Sequence, residues 1–378
     1  QNRFGVSDGV DSWGERANLP EYDNLRDFFS TGVTSITSMS LSHGNEKLQN
    51  YFSYANTTGH GIIGKHNLSK HNLTFRETSV LLNSRLKLDG SMNLMRQVVK
   101  NKPTVGGFYM NPLVGLYRFP RGEDIAYYKE NFEVYDEGRN LNIQNWHTSY
   151  EDFEQNPYWI TNRILSKENR MHVIVSLSAN LKINDWLSLQ ARGNVDYIND
   201  KVRQQFYAST APALAGANGR YIEMDYQETQ YYGDAILMMK KQWDAFSLNA
   251  ALGASINDKT VNSTRYDSKT ASLKYANVFN LANIIMNGSA GLDQKIDARR
   301  QLQSLFATAQ LGYNEFVYLD LSARNDWSST LAYTSHEKSG FFYPSVGFSL
   351  IFNKLMTLPQ WVSLAKIRGA YSMVGNDI

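Results

Sequence analysis

Two kinds of residue in this chain have types and spacing suited to chemistry. The first kind is charged. Arg192 and Asp196 stand four residues apart, and so do Asp320 and Arg324. In an extended chain each such pair shares one face, because side chains alternate with period two. Opposite charges on one face suit a polar solute; they equally suit an ion pair that steadies a wall. The second kind is aromatic. Tyr117, Tyr127, Tyr128, Trp146, Tyr158 and Trp159 crowd a stretch with no regular period. Flat rings give large contact area at little entropic cost, which suits sugar rings or peptide side chains. Packing of that stretch on itself, or against a lid partner, would use the same rings.

No catalytic set accompanies them. The sequence has no Cys, so thiolate sites and disulfides are excluded. It has no HExxH motif, and nothing resembles a Ser-His or paired-carboxylate arrangement at one rim. His43, His60, His66 and His71 cluster, but a metal needs fixed ligand geometry, and polar loop positions account for them. No enzyme activity, metal or cofactor is expected. A net charge of +2 implies no broad attraction to nucleic acid.

The elements that carry these residues are strands. In Met171–Asn199, residues Val173, Val175, Leu177, Ala179, Leu181 and Ile183 take alternate places against Ser176, Ser178, Asn180 and Lys182. Asn184-Asp185 breaks the run, and Leu187, Leu189, Ala191, Val195 and Tyr197 resume it. This reads as a hairpin with one apolar and one polar face. About twelve such strands are expected along the chain. The links between them alternate. Short ones are expected at 44–46, 81–84, 184–185, 242–244, 312–314 and 354–360, and longer ones at 58–70, 99–167, 201–220, 258–298 and 326–340. Short turns at one rim and long loops at the other are what an outer-membrane barrel shows. Aromatics near strand ends fit the same picture: Tyr51, Trp186, Trp243, Tyr313, Phe316, Phe341, Phe342, Tyr343 and Trp361.

The mean hydropathy of -0.44 does not oppose a membrane barrel, since only alternate residues meet lipid. Leu189 and Leu319 are expected at lipid mid-depth. A soluble all-β glycan-binding protein or adhesin, and a passive porin, remain alternatives.

Several stretches resemble the SusC/RagA-type TonB-dependent transporters of the Bacteroidetes outer membrane. They are Asp27–Phe52 with the following Gly61-Ile62-Ile63, Asn156-Pro157-Tyr158-Trp159, Asn277–Leu281, Phe341–Ser349 and Ile367–Asp377. Arg324-Asn325-Asp326-Trp327 departs from the family's usual run there. The resemblance implies an all-β fold, with residues 1–378 forming part of a plugged, 22-stranded antiparallel transmembrane barrel. The plug, its TonB box and the last strands would lie outside this stretch. It also implies TonB-dependent uptake of an oligosaccharide or oligopeptide, with a SusD-like surface lipoprotein as lid. Outer-membrane lipid would surround the wall. Substrate contacts are expected among Tyr117, Trp146, Tyr158, Trp159, Arg192, Asp196, Asp320 and Arg324.

Overall fold

The computed structural model describes residues 20–375, except 105, 107–108, 149–153, 270–272, 287–290 and 336–339. After a short helix α1 (Asn24–Phe28), the chain runs up and down in long strands. The first four are β1 (Val33–Gly44), β2 (Leu48–His60), β3 (Asn67–Leu81) and β4 (Leu86–Lys100). An excursion follows, with helices α2 (Pro112–Arg118) and α3 (Ala126–Glu130), a small hairpin β5 (Glu133–Asp136) and β6 (Leu141–Gln144), and helix α4 (Pro157–Arg163). The wall then resumes with β7 (Ile164–Lys182), β8 (Leu187–Phe206), β9 (Arg220–Trp243), β10 (Phe246–Asp267), β11 (Gly291–Tyr313), β12 (Val317–Ser328), β13 (Phe341–Ile351) and β14 (Lys366–Ser372). Apart from β5 and β6, every strand pairs antiparallel with the next in line, making a twelve-stranded sheet with β1 and β14 at its edges.

The register sorts side chains into two surfaces. Leu81, Leu86, Leu181, Leu189, Leu237 and Leu252 stand side by side across six strands. On the opposite face a matching row runs Thr78, Asp89, Ser178, Arg192, Asp234, Ser255, Ser304 and Asp326. The apolar face is uncovered: Val175, Leu177, Leu252, Leu305 and Leu321 are all exposed. A dry core does not lie behind these strands. In a bilayer the pattern is stable, because hydrocarbon meets the apolar face while strand pairing satisfies the backbone. On β7 the unbroken run of outward apolar positions goes from Met171 to Leu181. At ~3.3 Å per residue and ~40° tilt this covers roughly 25 Å of height, the depth of a bacterial outer-membrane band. No helix among the described residues is long and apolar enough to cross a membrane.

The short turns have a shared chemistry. Asn184 Oδ1 accepts from the backbone N–H of Trp186 (3.0 Å) and Leu187 (2.9 Å). Asn45 does the same for Lys47 (2.8 Å) and Leu48 (3.0 Å). Asn314 and Glu315 both take positive φ (45° and 58°), the twist that matches a two-strand ribbon. At this rim Phe246 and Tyr313 are paired across strands with ring centroids 5.0 Å apart, and Phe316 lies 5.6 Å from Tyr313. With Trp186 and Trp243 they form an aromatic girdle on one side of the band. Tyr51 is not in it. Its register with Ser42 and Arg76 puts it on the polar face.

The links differ from expectation in length. Strands β2 and β3 extend to His60 and from Asn67, so the link 58–70 shrinks to 61–66. The link after β13 grows to 352–365. Strands β8 to β11 run well past the apolar band, so much of 201–220 and 258–298 is strand rather than loop. These extensions carry no apolar alternation because they stand above the lipid, which is why pattern reading ended them early.

Candidate functional site: the polar wall and the outer rim

The polar face is knit by cross-strand hydrogen bonds. Arg192 on β8 grips Asp234 on β9, Nη2 to Oδ2 2.6 Å and Nε to Oδ1 3.0 Å. Tyr232 Oη donates to the same carboxylate at 2.7 Å. Asp196 accepts instead from His172 Nε2 at 2.7 Å. Arg324 donates to Asp326 (2.7 Å) and to Ser304 (2.8 Å), while Asp320 accepts from Gln310 (2.7 Å). Neither expected i, i+4 pair is therefore joined. Spaced four residues apart, the two groups of each pair lie about 13 Å apart along the strand. A partner on the next strand is closer: Arg192 and Asp320 take the residue directly across, Asp196 and Arg324 reach a diagonal one, and Arg324 also bonds Asp326 two residues along its own strand. Asp89 likewise holds Arg76 at 2.7 Å and Thr78 at 2.7 Å.

The long-link rim contains the buried core. One cluster joins Phe28, Leu116, Phe119, Ile125 and Tyr158, a second Phe206, Ala215 and Ile222, a third Tyr221, Leu273 and Ile284. The stretch 154–159 is its hub. Asn156 Oδ1 caps α4 by accepting from Tyr158 N–H at 2.8 Å, with Pro157 opening the helix. Asn156 Nδ2 donates to the carbonyls of Asn145 (2.8 Å) and Tyr128 (3.1 Å). Gln155 reaches Tyr109 carbonyl (2.6 Å) and accepts from Ala211 N–H (2.8 Å). Helix α2 presses on this hub at Gly115, where a Cβ would lie 2.4 Å from the Gln155 carbonyl.

Trp159 is 0% exposed and donates its indole N–H to Thr210 at 3.1 Å. Tyr158 is 8% exposed, and burial, with Asp27 and Asp124 nearby, pushes its phenol up to about 12. Trp146 packs on Phe119, Tyr128 and His147 at centroid distances of 4.5–5.2 Å. These three rings, expected among substrate contacts, are spent on packing. Tyr117 differs: it is 69% exposed on α2. At the start of the hub, Glu154 lies between Arg118 (3.1 Å) and His147 (3.4 Å). Burial alone would raise its carboxyl; His147, Thr148 and Arg118 outweigh that and hold it below the ordinary value.

Hairpin β5–β6 is clipped to the wall by Arg163, which pairs with Glu133 at 2.6 Å and lies over the rings of Tyr207 (5.0 Å) and Phe132 (5.2 Å). At the next strand pair Arg220 holds Asp267 bidentately, 2.8 and 2.9 Å. Sequence reading missed Gln155, Asp234 and Asp267, since none forms a local spacing; Asn156 stands out in the sequence only as part of the Asn156–Trp159 motif. A cavity of about 300 Å³ opens between segment 101–104, α4 and the polar face of β7 and β8, lined by Lys102, Met110, Thr161, Glu168, Gln204 and Phe206. That is the lower end of ordinary ligand-pocket sizes. Among the described residues no three metal-ligating side chains converge. His71 is hydrogen-bonded to Tyr54 (2.8 Å), and His60 to Asn67.

No protein-family model and no curated protein matches the chain. Solved structures do. A structure of the RagAB peptide transporter superposes with a TM-score of 0.71 at 18% identity, over 95% of this chain and 38% of that one. The RagAB peptide importer in its 'open-open' state gives 0.69 at 18% identity, over 99% and 40%. FpvA of P. aeruginosa bound to heterologous pyoverdines gives 0.52 at 12% identity, over 84% and 39%. The chain thus spans about two fifths of the length of these proteins. Its fold is that of an arc of antiparallel barrel wall, as in the corresponding part of the RagAB structures.

Proposed function

We propose that this chain is wall and outer rim of an active importer in a bacterial outer membrane. The imported solute is an oligopeptide or oligosaccharide, taken up with a SusD-like surface lipoprotein and driven by the TonB complex. The observation that carries the reading is the two-faced wall joined to a packed rim, with a likeness to RagAB over nearly the whole chain. Two of the solved structures it resembles are described as a peptide transporter and a peptide importer, which favours a peptide. Tyr117, exposed on α2, and the cavity beside α4 are where cargo would be met first. Arg192, Asp196, Asp320 and Arg324 line the route beyond. No bond changes in this process, so the wall's work is to exclude lipid and present polar groups.

Uptake by cells expressing the complete transporter tests this. Labelled peptide should enter in the presence of the lipoprotein partner and stop when the inner membrane is de-energised. Entry that persists without energy means a passive pore. Recovery of the protein in soluble form without detergent removes the membrane reading altogether.

A further inference from the structure

One part of the outward face breaks the charge rules of a sheet. In register across β4, β7 and β8 stand Lys100, Lys167 and Arg203. All three face outward, on the side of Met171 and Val173, and all are exposed. Like charges placed directly opposite each other destabilise a strand pair. The neighbouring outward positions Lys201 and Arg96 add to the same sign. Among the described residues the acidic groups facing this area are on its β9 side: Glu223 meets Arg203 at 3.1 Å and Asp225 meets Lys201 at 3.3 Å. No carboxylate among the described residues forms an ion pair with Lys100, Lys167 or Arg96.

Height decides what meets this patch. Lys167 is four residues beyond Met171, where the unbroken apolar outward run of β7 ends; Leu165 follows it on the same face. The step from Met171 to Lys167 is ~13 Å along the strand and ~10 Å in height, the level where lipid headgroups begin. The patch is on the side of the long links, away from the Trp243–Phe246–Tyr313 girdle. Farther round the sheet an outward arginine does find an opposite charge across the ladder: Arg299 pairs with Asp258.

We propose that Lys100, Lys167 and Arg203 form a binding site for the phosphate group of an anionic lipid in the outer leaflet. An ammonium or guanidinium within reach of one phosphate turns a repulsive row into a shared charge-assisted contact. Lys201 and Arg96 flank the site. The lipid also anchors β4, β7 and β8 where they leave the membrane, next to the excursion that carries the rim. This inference rests on the membrane reading above.

The test uses the complete transporter that contains this chain, reconstituted in vesicles either purely zwitterionic or containing a phosphate-headgroup anionic lipid. Retained lipid is read by native mass spectrometry, and thermal unfolding is followed in parallel. The wild type should retain the anionic lipid, and Lys100→Gln/Lys167→Gln/Arg203→Gln should reduce retention about tenfold. The control Lys87→Gln/Lys182→Gln/Lys241→Gln, equal in charge, should not. The single change Lys167→Gln should raise the melting temperature in zwitterionic vesicles, by relieving repulsion, and lower it in anionic ones. Excess inorganic phosphate should not displace the lipid; if it does so completely, the site takes free phosphate and the lipid assignment fails. Equal retention by the two triple variants, or the same sign of melting shift in both vesicle types, overturns the proposal. Failure of the wild type to enter vesicles would instead refute the membrane reading.

Discussion

Arg192 and Asp234 face each other across β8 and β9 with Nη2 and Oδ2 2.6 Å apart, and the Asp234 side chain is 0% exposed. The carboxylate keeps two donors, Arg192 and Tyr232. Removing only the cation leaves a shielded charge with one hydroxyl. Arg192→Leu should therefore cost about 1–3 kcal/mol of wall stability, discounted for the half-exposed guanidinium. Arg192→Gln with Asp234→Asn should recover most of it. Urea unfolding in vesicles measures both, and equal losses would mean the pair is not coupled.

The depth of outward residues sets a second expectation. Register moves Leu189 and Leu319 away from mid-depth: each is the second outward position from the short-turn rim. Leu177, midway between Met171 and Ile183, is the central one. Leu177→Arg should impair assembly by ~2–4 kcal/mol, Leu189→Arg by clearly less. Gln190→Arg, on the polar face beside Asn180, should be tolerated. Heat-modifiable migration of the folded barrel reports assembly. Equal harm at positions 177 and 190 would argue against lipid on the apolar face.

Asn156 should matter to the rim and not to the wall. Asn156→Ala removes a helix cap and frees two buried carbonyls, a loss of roughly 2–4 kcal/mol for the local unit. Limited proteolysis should then cut within 109–163 while the strands stay protected. Cutting spread evenly over wall and rim would show that the hub is not a separate unit.

Tyr158 gives the rim a pH limit. Its phenol is raised to about 12 in the folded protein from an ordinary 10.0. The unfolded chain thus releases that proton first, so the contribution is complete below pH 10 and is lost as pH rises toward 12. Tyr158→Phe should abolish this loss without weakening the rim at neutral pH, since the hydroxyl has no hydrogen-bond partner among the described residues. Absorbance titration at tyrosinate wavelengths, with rim proteolysis alongside, checks it.

Tyr117 separates cargo contact from packing. Tyr117→Ala should weaken uptake several-fold with unchanged melting, whereas Trp159→Ala should unfold the rim, at ~3–5 kcal/mol for a fully buried tryptophan. A change in melting without a change in uptake at position 117 would remove it from the cargo surface.

What the sequence by itself determined is local and periodic. Alternation across Val173–Ile183 and Leu187–Tyr197 decided both faces, and Asn45, Asn184 and Asn314 marked the turns. Period two follows from backbone geometry, so neighbours in the chain suffice to read it. Tertiary structure decided who meets whom. The partners of Arg192, Asp196, Asp320 and Arg324 sit on adjacent strands or, for Arg324, two residues along, and the ladder register selects them. Tyr158 and Trp159 looked like ring surfaces for a ligand. They are core because Thr210, Phe28 and Leu116 arrive from distant segments to cover them. Such coverage has no period, and only the folded rim brings it about.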